Sequence, residues 1–213
     1  MLTKGTLAVL LSQLKEFNAS KAALEQYAIP SEIAATVLWE MLLQGDIEDK
    51  TIADLGAGTG ILGIGAAVLG ARLVHLVDID NEALARAKEN VVFLENELGA
   101  TLHVLFDEED IGNFKQIVDV VVQNPPFGVQ KKHADRVFLE KAFSLAPIVY
   151  SFHKTESEQF LRKYAQDNGF VITRSWLFDW PLQATMHYHE KRKHLVKVGA
   201  WRFAHLHYLK GKY

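Results

Sequence analysis

The chain has 213 residues, 49% of them hydrophobic and 23% charged, with a formal net charge of −3; this profile fits one ordinary soluble domain and excludes collagen-like, disordered and low-complexity readings. A domain of this length can bury roughly 70% of the surface its unfolded chain exposes, so a core is available without disulfides or metals. The chain has no cysteine, which removes disulfides, thiolate nucleophiles, Cys-ligated zinc and iron–sulfur clusters, and fits a reducing, cytoplasmic setting.

A first helix is expected over Thr3–Phe17. Its apolar stretch is short and gives way to Lys15 and Glu16, so it is read as neither a signal peptide nor a span, and no membrane partner is expected. The Asn18-Ala19-Ser20 triplet matches a glycosylation acceptor only by chance if the chain is not exported. A second helix is expected over Ser31–Gln44, introduced by Pro30 with Ser31 as its cap.

Strands are then expected at Thr51–Leu55, Leu73–Ile79, Leu102–Phe106, Val118–Gln123, Ile148–Phe152, Phe170–Leu177 and Lys197–Phe203. Helices are expected near 61–70, 81–98, 134–146 and 156–168, the second starting after Asp80 and ending at Gly99. There is no repeat and no linker, so residues 1–213 are read as one α/β domain with a mostly parallel sheet covered on both faces. The last two strands have no helical pattern between them, which suggests an antiparallel edge connected by the basic segment His189–His194.

The first strand runs through Asp54 into a turn bearing Gly56, Gly58 and Gly60, and then into a helix. Such glycines let a backbone turn tightly and approach a ligand. Gly58–Gly63 also satisfies the G-x-G-x-x-G dinucleotide pattern. S-adenosylmethionine is favoured instead, because Asp54 could accept from the ammonium of an amino-acid moiety, whereas a pyrophosphate there would be repelled. Asp78 ends the second strand, where a carboxylate can accept both ribose hydroxyls, and Asp107 ends the third, where an acid can bind the adenine amino group.

The fourth strand runs directly into Asn124-Pro125-Pro126-Phe127-Gly128, at the strand end where open α/β sheets bind ligands. Two prolines stiffen the turn and fix the direction of its carbonyls. The Asn124 side chain and the Pro125 carbonyl could accept from the hydrogens of a planar amino group, and Phe127 could stack on a base. This suits methylation of a nitrogen whose lone pair is delocalised.

These residues resemble the class I S-adenosylmethionine-dependent methyltransferases with an Asn-Pro-Pro-Phe motif, and more closely the methyltransferase-like protein 5 family and its archaeal relatives. The resemblance spans nearly the whole chain and rests on Leu24–Tyr27, Asp54–Gly60, Asp78–Asp80, Asn124–Gly128, Tyr150–Lys154 and the basic run at 189–194. It implies a Rossmann-like fold, a seven-stranded sheet whose last strand is antiparallel, and N6-methylation of an adenosine in small-subunit ribosomal RNA, with S-adenosylhomocysteine as product. It also implies that residues 1–48 close the cofactor site, with Gln26 and Tyr27 at its mouth. Gly56, Thr59 and Ile61 would line it, Asp107 with Glu108 would hold the adenine, and Asn124, Pro125, Pro126 and Phe127 would hold the target base. Ile29 stands where the family often has a threonine, so one hydroxyl contact to the cofactor is lost or replaced. A small activator protein that adds a strand is the partner the resemblance implies.

The charge is divided along the chain. Residues 1–149 hold 12 Lys+Arg against 21 Asp+Glu, a balance of −9, whereas residues 150–213 hold 11 against 5, a balance of +6. Such asymmetry suggests a face built for a polyanion. Lys131, Lys132, His153, Lys154, Lys191, Arg192 and Lys193 are the candidate RNA contacts. His187, His189, His194, His205 and His207 are read as surface or RNA-contacting groups rather than metal ligands. The same Asn-Pro-Pro turn could hold a protein glutamine amide, a DNA adenine or a guanine amino group; a hydride-transfer enzyme would leave it without a role.

Overall fold

The computed structural model describes residues 2–16, 29–126, 134–182 and 194–210. Helices α1 (Lys4–Ser12) and α2 (Ser31–Leu43) precede β1 (Thr51–Leu55), α3 (Ile61–Val68), β2 (Leu73–Asp78), α4 (Asn81–Leu98) and β3 (Val104–Glu108). Then follow β4 (Val120–Gln123), α5 (Ala134–Leu145), β5 (Ile148–Lys154), a 3-10 turn (Thr155–Ser157), α6 (Glu158–Asp167), β6 (Phe170–Leu182), β7 (His194–His205) and α7 (Leu206–Lys210).

Local chemistry sets the helix ends. Thr3 and Thr6 exchange backbone and hydroxyl hydrogen bonds at the start of α1, a reciprocal cap. Asp80 accepts from the N–H groups of Glu82 and Ala83 to start α4, and Gly99, left-handed with φ 61°, ends it. At α2 the expected Ser31 cap is displaced by one residue: Pro30 takes the cap position, its carbonyl accepting from Ile33 and Ala34, and Ser31 falls within the first turn. α1 stops at Ser12, short of the expected Phe17, which lies outside the described residues.

The sheet order is β3-β2-β1-β4-β5-β7-β6. β1 to β5 pair in parallel, and β7 is antiparallel to both β5 and β6. The last two strands thus form the expected antiparallel pair at one edge of the parallel sheet. β7 lies between β5 and β6, and β6 forms the rim. The β6–β7 hairpin is also longer than expected, because cross-strand pairs continue through Trp180↔Val196 to Leu182↔His194, with the Trp180 side chain buried.

Alternation along the strands sends Ile52, Val120, Val122, Ile148, Tyr150 and Phe152 to one face, where α1 to α4 cover them. Ala53, Leu55, Val121 and Val149 face the other way, against α5 and α6. Beneath the first face Asp46 takes the Tyr150 hydroxyl at 2.7 Å and the Arg202 Nε at 2.7 Å, and Arg202 also donates to Thr173. This buried network ties the loop before β1 to β5 and β7. Between β1 and β4 the strand order reverses, and the open α/β rule places ligands at that switch point, beyond the strand ends.

Candidate active site

A cleft of about 450 Å³ opens at that switch point, within the range of small-molecule and cofactor pockets. Leu55 is in register with Val77 on β2 and with Gln123 on β4. The next residues of the three strands, Gly56, Asp78 and Asn124, therefore meet at one place. All three line the cleft, with Asp54, Gly58, Thr59, Ile61 and Pro126.

The glycine turn is held by backbone bonds: Gly56 and Ala57 donate to the Val77 carbonyl at 2.8 and 3.1 Å. Gly58 at φ 57° and Gly60 at φ 87° are left-handed, and a Cβ on Gly60 would also strike Ile64 and Leu76. Side chains at these positions would be strained, so the bare backbone forms the cleft wall.

Two carboxylates sit at the base of the turn. Asp54 is 2% exposed and accepts from the Gly63 N–H at 2.8 Å. Burial is the main cause that raises its pKa from 3.8 to about 7, and the negative charge of Asp78 adds to it. Asp78 accepts from Gly58 N–H at 2.8 Å and from Asp80 N–H at 2.9 Å, and burial raises its pKa as well. Among the described residues no Lys or Arg forms an ion pair with either. A cradle of bare backbone with two under-neutralised acids fits a ligand that carries an ammonium and a diol, as S-adenosylmethionine does.

Other expected contacts fall elsewhere. The Asp107 carboxylate meets His75 Nδ1 at 2.9 Å and Glu108 takes a hydrogen bond from Asn81 at 2.7 Å; neither lines the cleft, so this geometry does not support the adenine role given to them. His153 is corrected from an RNA contact to an interior group. It is 2% exposed, receives or donates a 2.7 Å hydrogen bond at Ser151 Oγ, and burial pushes its pKa from 6.5 down to about 3, so it offers phosphates neither surface nor charge. Lys154 is half-buried at the end of β5. Ile29 lines the cleft as an apolar wall, and Pro125 is buried and does not line it. Gln26, Tyr27, Phe127, Lys131, Lys132, Lys191, Arg192 and Lys193 lie outside the described residues.

The structure adds wall residues that sequence reasoning missed: Ser12 at the end of α1, Lys15 and Glu16 after it, Ile79 beyond Asp78, and Phe138 on α5. Only Ile79 had a local signal, an apolar residue between two aspartates at a strand end.

A family model, the methyltransferase small domain, matches residues 31–146. The chain is 36% identical to uncharacterized protein MJ0284 of Methanocaldococcus jannaschii, over 97% of this chain and 96% of that one. It is also 36% identical to the rRNA N(6)-adenosine-methyltransferase METTL5 of Danio rerio, over 91% and 94%. The crystal structure of PH1948 from Pyrococcus horikoshii superposes with a TM-score of 0.82 at 40% identity, covering 97% of this chain and all of that one. The chain thus belongs to the methyltransferase small domain family, in the group that includes the METTL5 proteins.

Proposed function

We propose that this protein transfers a methyl group from S-adenosylmethionine to N6 of an adenosine in RNA, and that the RNA is that of the small ribosomal subunit. The observation that carries this is the convergence of Asp54, Asp78 and the glycine turn with Asn124 and Pro126 in one cleft. The METTL5 relatives and the charge balance of +6 over residues 150–213 support an RNA substrate.

The bound cofactor supplies an electrophilic methyl on a sulfonium. Asp54 holds its amino-acid end, Asp78 its ribose hydroxyls, and the backbone of Gly56 to Gly60 leaves room between them. The Asn124 side-chain carbonyl and the Pro125 carbonyl accept from the adenine amino hydrogens, which turns the nitrogen lone pair out of conjugation and toward the methyl carbon. The methyl would pass to the nitrogen held by Asn124 and Pro125, the sulfur would keep the S–C electron pair as S-adenosylhomocysteine, and the amino proton would leave afterwards. A perturbed general base is therefore not required. Phe127 stacks on the base, which must be unpaired or flipped out to be reached. The small activator adds to β3, the edge strand beside β2, where Leu105 is 47% exposed.

The test is transfer of labelled methyl from S-adenosylmethionine into purified ribosomal subunits, with separate nuclease and protease digestion. N6-methyladenosine in the RNA digest is the expected product. Label in protein would favour glutamine methylation. Asn124→Ala should abolish transfer while leaving cofactor affinity within a few fold; loss of binding instead would mean that Asn124 serves the cofactor.

A further inference from the structure

Helix α1 ends at Ser12, and the chain beyond it is held by a side chain from far along the sequence. Asn90, on α4, is 1% exposed. Its Oδ1 accepts from the Lys15 N–H at 2.8 Å, and its Nδ2 donates to the Lys15 carbonyl at 3.1 Å and to the Thr59 carbonyl at 3.0 Å. One amide thus takes both backbone groups of Lys15 and one carbonyl of the glycine turn. Leu14, Lys15, Glu16 and Thr59 all line the cleft, so the amide joins two of its lining segments at one point.

The residue type is specific to this task. Only a carboxamide offers an acceptor and two donors on one short stem. An aspartate would keep the bond from Lys15 N–H but set a negative oxygen against two carbonyls, and an alanine would leave three backbone groups without this partner. The Lys15–Glu89 ion pair at 3.1 Å lies outside this bond set, with both side chains about half exposed, so water weakens it.

We infer that Asn90 is a positioning residue: it clamps the segment after α1 onto the glycine turn and so sets how tightly the cleft retains its cofactor. This rests on the assignment of the cleft as the cofactor site. It acts through the walls of the cleft and leaves the amino nitrogen and Asn124 untouched, so affinity and turnover should separate.

S-adenosylhomocysteine binding by calorimetry and turnover at saturating S-adenosylmethionine test it in the full-length protein. Loss of three hydrogen bonds to backbone groups should weaken binding at least ~10-fold in Asn90→Ala, with saturated turnover within about threefold by the same reasoning. Glu89→Gln, which breaks the outer ion pair and spares the amide, should bind within about twofold. Unchanged affinity in Asn90→Ala, or reduced turnover with unchanged affinity, would overturn the inference. Because Asn90→Ala could unfold, amide exchange of the wild-type protein provides an independent readout. S-adenosylhomocysteine should slow exchange across residues 12–16 and 58–60 together; slowing of the glycine turn alone would also overturn it. Failure of the wild-type protein to bind S-adenosylhomocysteine would instead refute the cofactor site itself.

Discussion

Buried acids occur in two places, the loop before β1 and the ends of β1 and β2, and they are treated in opposite ways. Asp46 is met by Arg202 through two nitrogens and by the Tyr150 hydroxyl, so its charge is fully compensated. Asp54 and Asp78 are equally enclosed yet receive only backbone N–H groups from the described residues, and burial raises both pKa values. The first arrangement serves the fold. The second holds back a countercharge that a ligand can bring, which is how a binding site stores affinity at the expense of the empty protein.

The contrast can be broken from either side. The largest effect should come from Asp46→Ala, which leaves the Arg202 guanidinium buried without its carboxylate; about 3–5 kcal/mol of stability should be lost, read by denaturant or thermal unfolding, with cofactor affinity per folded molecule unchanged. Asp54→Asn should do the reverse. Calorimetry should show S-adenosylhomocysteine binding weakened by roughly 100-fold, about 2.7 kcal/mol, while the melting temperature at pH 8 stays at or above that of the wild type.

A pH series sharpens the same comparison. The folded protein holds the Asp54 proton up to about pH 7, whereas the unfolded chain releases it near 3.8. This contribution to stability is therefore complete below about pH 4 and is lost as pH rises through 7. An ammonium-bearing ligand needs the carboxylate, so its affinity should be about tenfold weaker at pH 6 than at pH 8. A flat affinity profile across that range would mean that Asp54 does not meet the ammonium. The smallest effect belongs to the basic end of the chain. Single Lys→Gln changes at Lys131, Lys132, Lys191 or Lys193 should each lower the salt slope of RNA binding by about one, and leave cofactor binding untouched.

What could be read in advance follows from how locally each feature is encoded. Asp54, the glycine turn, Asp78 and Asn124-Pro125-Pro126 are strand-end residues whose placement is fixed by the strand they terminate, and parallel register then brings those ends together. The wall contributed by Lys15 depends on Asn90, 75 residues away, and no local period announces such a pair. His153 was misplaced for a different reason. β5 runs to Lys154, past its expected end at Phe152, and stays buried through residue 153, because β7 packs alongside it and the Trp201 ring lies 6.0 Å from the imidazole. Insertion of β7 between β5 and β6 was equally hidden, since sequence order does not say which of two consecutive strands takes the inner place.

That insertion governs how the protein can be made. β7 follows β6 in the chain yet fills an interior slot, so until residues 194–205 emerge from the ribosome, β5 has an open flank and β6 has no partner in the sheet. Closing the sheet is therefore a step that waits for β7, and a nascent chain stalled before it presents an unpaired edge that invites association.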